Sequence, residues 1–70
     1  MKRQRVNSSN IAEIGYDKDN EILEIAFIGG GVYQYDGVPE DVYNELMEAG
    51  SHGSFFYRNI RSQFAYRRIQ

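Results

Sequence analysis

Between residues 11 and 36 apolar and polar positions alternate in three runs, each followed by turn-forming residues. The first run, IAEIGYD (11–17), has the period of a strand, and DKDN after it is a turn cluster. In ILEIAFI (22–28), Leu23, Ile25 and Phe27 fall on one face. Gly29, Gly30 and Gly31 then supply a flexible turn, and VYQYD (32–36) resumes the alternation. The two hairpins can be tested against each other for parity, because a slip of one residue exchanges the faces of a strand. If Tyr16 opposes Leu23, then Ile14 meets Ile25 and Ala12 meets Phe27. If Val32 opposes Ile28, then Phe27 meets Tyr33 and Ile25 meets Tyr35. Both registers select the same apolar face, which predicts an antiparallel meander of three strands.

From Pro39 the period changes to that of a helix. Pro39 suits the first helical position, Glu40 and Asp41 place negative charge in the first turn, and Gly50 suits the stop. Val42, Tyr43, Leu46, Met47 and Ala49 recur at helical spacing and leave Asn44, Glu45 and Glu48 outside. Ser51 fits the cap of a second, shorter helix bearing Phe55, Phe56 and Ile60. The final FAYRRI closes either as a short fourth strand or as a packed tail. The expected fold is therefore α+β: a three-stranded meander followed by two helices on one face, in a single domain over residues 1–70 with a basic arm at 1–5.

Length and composition narrow the class. Seventy residues make one small domain, and without cysteine there is neither a disulfide nor a thiolate metal site. The longest apolar run, Ile25 to Ile28, is far too short for a bilayer, and no apolar stretch follows the basic start, so a cytoplasmic, monomeric protein without membrane contact is expected. The formal charge of −2 conceals a segregation. Lys2, Arg3 and Arg5 open the chain without an acid; residues 6–50 hold all ten acids against Lys18; residues 51–70 hold Arg58, Arg61, Arg67 and Arg68 and no acid. No basic field covers the whole domain, but each end carries a local one.

The familiar catalytic patterns do not fit. The glycines at 29–31 lead into a strand and lack the lysine and helix of a phosphate loop, so they read as a hairpin turn. His52, between Ser51 and Gly53, has no nucleophile elbow near it and reads as a turn residue at the start of a helix. Asp17, Asp19 and Glu21 have a faint calcium-loop look but lack its glycine and distal glutamate. The sequence thus predicts no catalytic residue, no metal and no cofactor.

Tyr33 and Tyr35 are the more informative pair. Alternate strand residues share a face, so the two phenols point the same way, about 6.5–7 Å apart. Aromatics displayed so can stack unpaired bases. The register sets them instead beside Ile25 and Phe27, where the helices must pack, and leaves Glu13, Glu24, Gln34 and Asp36 on an acidic opposite face. Core and ligand platform both remain open for the pair.

Val6, Ser8, Ser9 and Ile11, then Gly15-Tyr16-Asp17, Leu23-x-Ile25-x-Phe27, Tyr33-x-Tyr35, Val38-Pro39, Ser51-x-Gly53, Phe55-Phe56 and Ile60 follow in an order and spacing that resembles the KTSC domain. That family is named for its place at the C-terminus of some lysyl-tRNA synthetases and also occurs as small bacterial and phage proteins. The resemblance spans about residues 6 to 68 and implies RNA binding through the synthetase context; it does not transfer aminoacylation, since this chain lacks a synthetase body. Two expectations follow. One is a small non-enzymatic module for single-stranded or structured RNA, with Arg58, Arg61, Tyr66, Arg67 and Arg68 as contacts, interleaved with Tyr57 and Phe64 and joined by Lys2, Arg3 and Arg5. Four phosphate contacts would give a log–log salt slope of about −3. The alternative is a protein-interaction module that docks through the acidic sheet face or an edge strand.

Overall fold

The computed structural model describes all residues from Met1 to Gln70. Five strands, β1 (Arg3–Arg5), β2 (Ile11–Asp17), β3 (Ile22–Phe27), β4 (Val32–Tyr35) and β5 (Tyr66–Arg68), form one antiparallel sheet in chain order. Two helices, α1 (Glu40–Glu48) and α2 (His52–Asn59), lie between β4 and β5 in sequence and pack on one face. The predicted meander is thus the centre of a wider sheet. The basic arm is strand β1, and the FAYRRI segment resolves in favour of a strand, β5.

Both expected parities hold, while two registers differ. Tyr16 opposes Leu23 and Ile14 opposes Ile25, but Phe27 meets Ile11 rather than Ala12, because a bulge between Ile11 and Glu13 inserts an extra residue. The bulge exchanges a small side chain for a large one on the core face, and Ile11 is fully buried. The second hairpin is tighter than expected by a pair: Ile25 opposes Tyr33 and Leu23 opposes Tyr35. Its last rung joins Phe27 N–H to the Gly31 carbonyl at 3.0 Å, and positive φ at Gly30 and Gly31 turns the chain there. Ile28 is therefore in the loop and exposed, not in the ladder.

The core lies between the sheet and the helices: Ile11, Ile14, Leu23, Ile25, Tyr35, Val38, Leu46, Phe56 and Ile60. Helix α1 is fixed by Tyr16, whose hydroxyl donates to the Val38 carbonyl at 2.6 Å and whose ring stacks on Tyr43 at 4.5 Å. Pro39 stands one place earlier than predicted, as N-cap, and the helix ends through extended backbone at Ala49 without a left-handed glycine. Ser51 caps α2 by accepting from Ser54 N–H at 3.2 Å. His52 Nδ1 donates to the Leu46 carbonyl at 2.9 Å, which ties the two helices together.

The outer face is polar, and its three carboxylates are held by two arginines. Glu24, 5% exposed, lies at its centre. One carboxylate oxygen accepts from Arg3 Nη1 at 2.8 Å and the other from Gln34 Nε2 at 2.7 Å. The Gln34 amide oxygen accepts from Arg67 Nη2 at 2.7 Å, and Arg67 Nη1 also reaches Asp36 at 2.7 Å. Arg3 Nε donates to Glu13 at 2.9 Å, so one hydrogen-bonded chain crosses all five strands. The bonds to Glu13 and Glu24 raise the Arg3 guanidinium above its usual pKa. Gly15 makes the crossing possible, because it stands in register between Arg3 and Glu24. A Cβ there would lie 3.0 Å from both the Arg3 Cγ and the Lys2 carbonyl oxygen.

Two outcomes test this fold. Arg3→Met removes the cation from a buried carboxylate and should cost about 1–3 kcal/mol in urea unfolding, less than a fully buried pair because Arg3 is partly solvated; adding Glu24→Gln should restore much of the loss. A double-mutant cycle with no coupling contradicts the relay. Burial raises the pKa of both Tyr16 and Tyr35 above the ordinary 10.0, so folding favours their neutral forms. Their contribution is complete below that value and is lost as pH rises through the folded pKa values, so alkaline unfolding should accompany tyrosinate absorbance.

Candidate nucleic-acid interface

Where α2 leaves the sheet uncovered, on the β4–β5 side, a cleft of about 810 Å³ opens. Strand alternation builds it. Tyr33 and Tyr35 pair with Arg68 and Tyr66 of β5, so all four side chains take the helix-facing side. The tyrosine pair forms the floor, Phe27 and Phe56 one end, and Tyr66, Tyr57 and Arg61 the rim. The rings are continuous: Tyr66 lies 6.0 Å from Tyr33 and 5.7 Å from Tyr35, Tyr35 5.3 Å from Phe56, and Phe56 5.6 Å from Phe27. The pair is thus divided between core and accessible surface. Tyr35 is buried in the core and Tyr33 half-buried, yet each turns an edge to the cleft.

The electrostatics suit an anion with a flat apolar part. No carboxylate lines the cleft, although the chain holds ten. Arg61 makes no ion pair and lies over the Tyr57 ring at 5.0 Å, and Arg68 lies over Tyr33 at 5.8 Å. The Tyr35 hydroxyl forms no hydrogen bond within the chain, and no buried side-chain polar atom lacks a partner, so this hydroxyl faces the open cleft. Desolvation, with neighbouring Tyr33 and Tyr66, raises its pKa, and it stays a neutral donor.

Of the five residues expected to contact RNA, Arg61 and Tyr66 line the cleft, with Arg68 over its floor, and Arg58 flanks it on α2. Arg67 does not join them. Strand alternation sends it to the outer face, where Asp36 and Gln34 engage it. Arg3 is likewise bound to Glu13 and Glu24, and β1 lies at the opposite edge of the sheet from β5. Phe64 packs on the core and is not part of the lining. Phe27, Phe56 and Asn10 line the cleft without having been singled out for it; the first two read as core from their periodicity, and Asn10 carried no signal.

The β2–β3 turn is held by its own polar groups. The Asp17 carboxylate accepts from Asn20 Nδ2 at 2.9 Å and from the Asp19 and Asn20 amides, bonds that lower its pKa. No group of three histidine, aspartate or glutamate side chains is placed to hold a metal ion. No helix is long and apolar enough to cross a membrane.

An α+β module with a five-stranded meander and an aromatic cleft at one edge is the class that fold and site define. Residues 7–64 match the family model of the KTSC domain, and the chain belongs to that family. The crystal structure of a KTSC domain protein from Yersinia pestis superposes with a TM-score of 0.96 at 49% identity, covering 99% of this chain and 97% of that one. An uncharacterised protein of Stutzerimonas stutzeri is 40% identical over 99% of each chain. A lysine–tRNA ligase of Trichormus variabilis is 36% identical over 87% of this chain, which corresponds to 11% of the ligase.

Floor and rim should separate under mutation. Tyr35→Ala should cost about 3 kcal/mol or more, whereas Tyr66→Ala, at an exposed position, should cost under about 1 kcal/mol. Thermal melts giving the reverse order would contradict the assignment of Tyr35 to the core.

Proposed function

We propose that the chain is a small non-enzymatic module that binds single-stranded RNA, taking an unpaired base into the aromatic cleft. The observation that carries this reading is a concavity walled by six aromatic rings, with an unpaired arginine at its rim and no acid in its lining. Rings of this kind stack on any base, and arginine adds both a stacking plane and a phosphate fork. The relationship to part of a lysine–tRNA ligase supports an RNA over another anionic polymer. The charge motive for the alternative, a protein docked on an acidic sheet face, is weakened, because Arg3 and Arg67 pair with the three carboxylates of that face and offset two of their charges.

Arg58, Arg61 and Arg68 form no ion pair with a side-chain carboxylate beside the cleft, and Arg68 Nε donates to the Gln70 main-chain oxygen at 3.1 Å while its terminal nitrogens stay open. Three contacts imply a log–log salt slope of about −2 on single strands, shallower than four arginines would give. An NMR titration with a short single-stranded RNA pool should move the Tyr33, Tyr57, Arg61 and Tyr66 resonances at low salt and lose affinity with that slope. Tyr66→Ala should weaken binding by about 1–3 kcal/mol, while Arg67→Gln should leave the slope unchanged. A titration at low salt that leaves the cleft resonances still would end this proposal.

A further inference from the structure

Beyond the cleft, on the other side of Tyr57, lies a second depression of about 510 Å³, lined by Ser9, Ser51, Ser54 and Arg58. The two hollows share Asn10, Gly53 and Tyr57 as a common wall, so they form one path over the surface. Their linings differ in kind. The first is ringed by aromatics; in the second, Tyr57 is the one apolar contributor among hydroxyls and a guanidinium. The hydroxyls of Ser9 and Ser54 make no hydrogen bond within the chain, Ser51 Oγ accepts from Ser54 N–H and keeps its proton to donate, and Arg58 has neither an ion pair nor a side-chain hydrogen bond. Again no carboxylate is present.

We infer that this depression is a phosphate subsite: a nucleotide strand crosses the Tyr57 ridge with a base in the aromatic cleft and the adjoining phosphate on Arg58 and the serine hydroxyls. The minimal ligand is then a nucleotide rather than a nucleoside. The donors match the chemistry, because a phosphate oxygen accepts several hydrogen bonds and the guanidinium adds charge to them. The exposed lining makes the subsite an addition to the cleft rather than an anchor by itself. This inference rests on the cleft as the base site, and its test separates the two.

The full chain, isotope-labelled, is titrated at low salt with adenosine and uridine, and with their 5′- and 3′-monophosphates. The nucleosides should move Tyr33 and Tyr66, and one of the monophosphate series should bind about tenfold tighter while also moving Ser9 and Ser54. Arg58→Gln and Ser54→Ala should remove that tenfold increment and leave nucleoside affinity unchanged. Nucleosides and monophosphates of equal affinity, or an increment that survives Arg58→Gln, would overturn the subsite and leave the cleft standing. If neither nucleosides nor nucleotides move the cleft, the base site fails and the subsite with it.

Discussion

Glu24 is the constraint on which the arrangement turns. A carboxylate in the middle of a sheet face, almost wholly withdrawn from water, has to be supplied with donors. They come from both directions, Arg3 from one edge strand and Gln34 from the adjacent strand, and Gln34 passes the chain on to Arg67 in the other edge strand. Short edge strands of three residues make few backbone bonds of their own. The polar relay adds to them and holds both edges in register. It also decides the other face, because β5 cannot turn Arg67 toward Gln34 without turning Tyr66 and Arg68 toward the tyrosines of β4.

The cleft is therefore a consequence of the sheet's alternation as much as of its own residues. The helices cover Ile14, Leu23 and Ile25, while Tyr33 and Tyr66 extend beyond that cover. An aromatic floor that is half core and half surface has its rings already fixed by packing, so a flat ligand stacking there would cost little side-chain freedom. Charge is partitioned to match: acids lie on the outer face, the β2–β3 turn and α1, while Arg61 lines the cleft, Arg68 lies over Tyr33 and Arg58 stands beside them, none paired with a side-chain carboxylate.

Much of this was legible in the sequence, since period-two alternation fixed the core face from Ile14, Leu23 and Ile25, and a capping serine with its apolar spacing marked α2. What was hidden depended on contacts distant in the chain. The bulge that brings Ile11 opposite Phe27 leaves no local signature, and the extra hairpin rung depends on which of three consecutive glycines ends the ladder. Strand β1 reads as a solvated basic arm because its partner acids are Glu13 and Glu24, ten and twenty-one residues away. Arg67 and Arg68 are adjacent in sequence and look equivalent, yet only the strand at 66–68 sends them to opposite faces, and that strand was one of two readings of the tail. The tyrosine pair is visible as a unit in the sequence; its division between core and cleft surface depends on where α2 stops.

An unpaired base lying against the rings of the cleft is the binding mode we propose. It is tested most directly by intermolecular nuclear Overhauser effects between the base protons of a short oligouridylate and the side chains of the full protein. Contacts are expected from base protons to the rings of Tyr33, Tyr57 and Tyr66, with none to Arg3, Gln34 or Arg67. Binding accompanied by contacts to the outer face alone, with silent cleft rings, would contradict it.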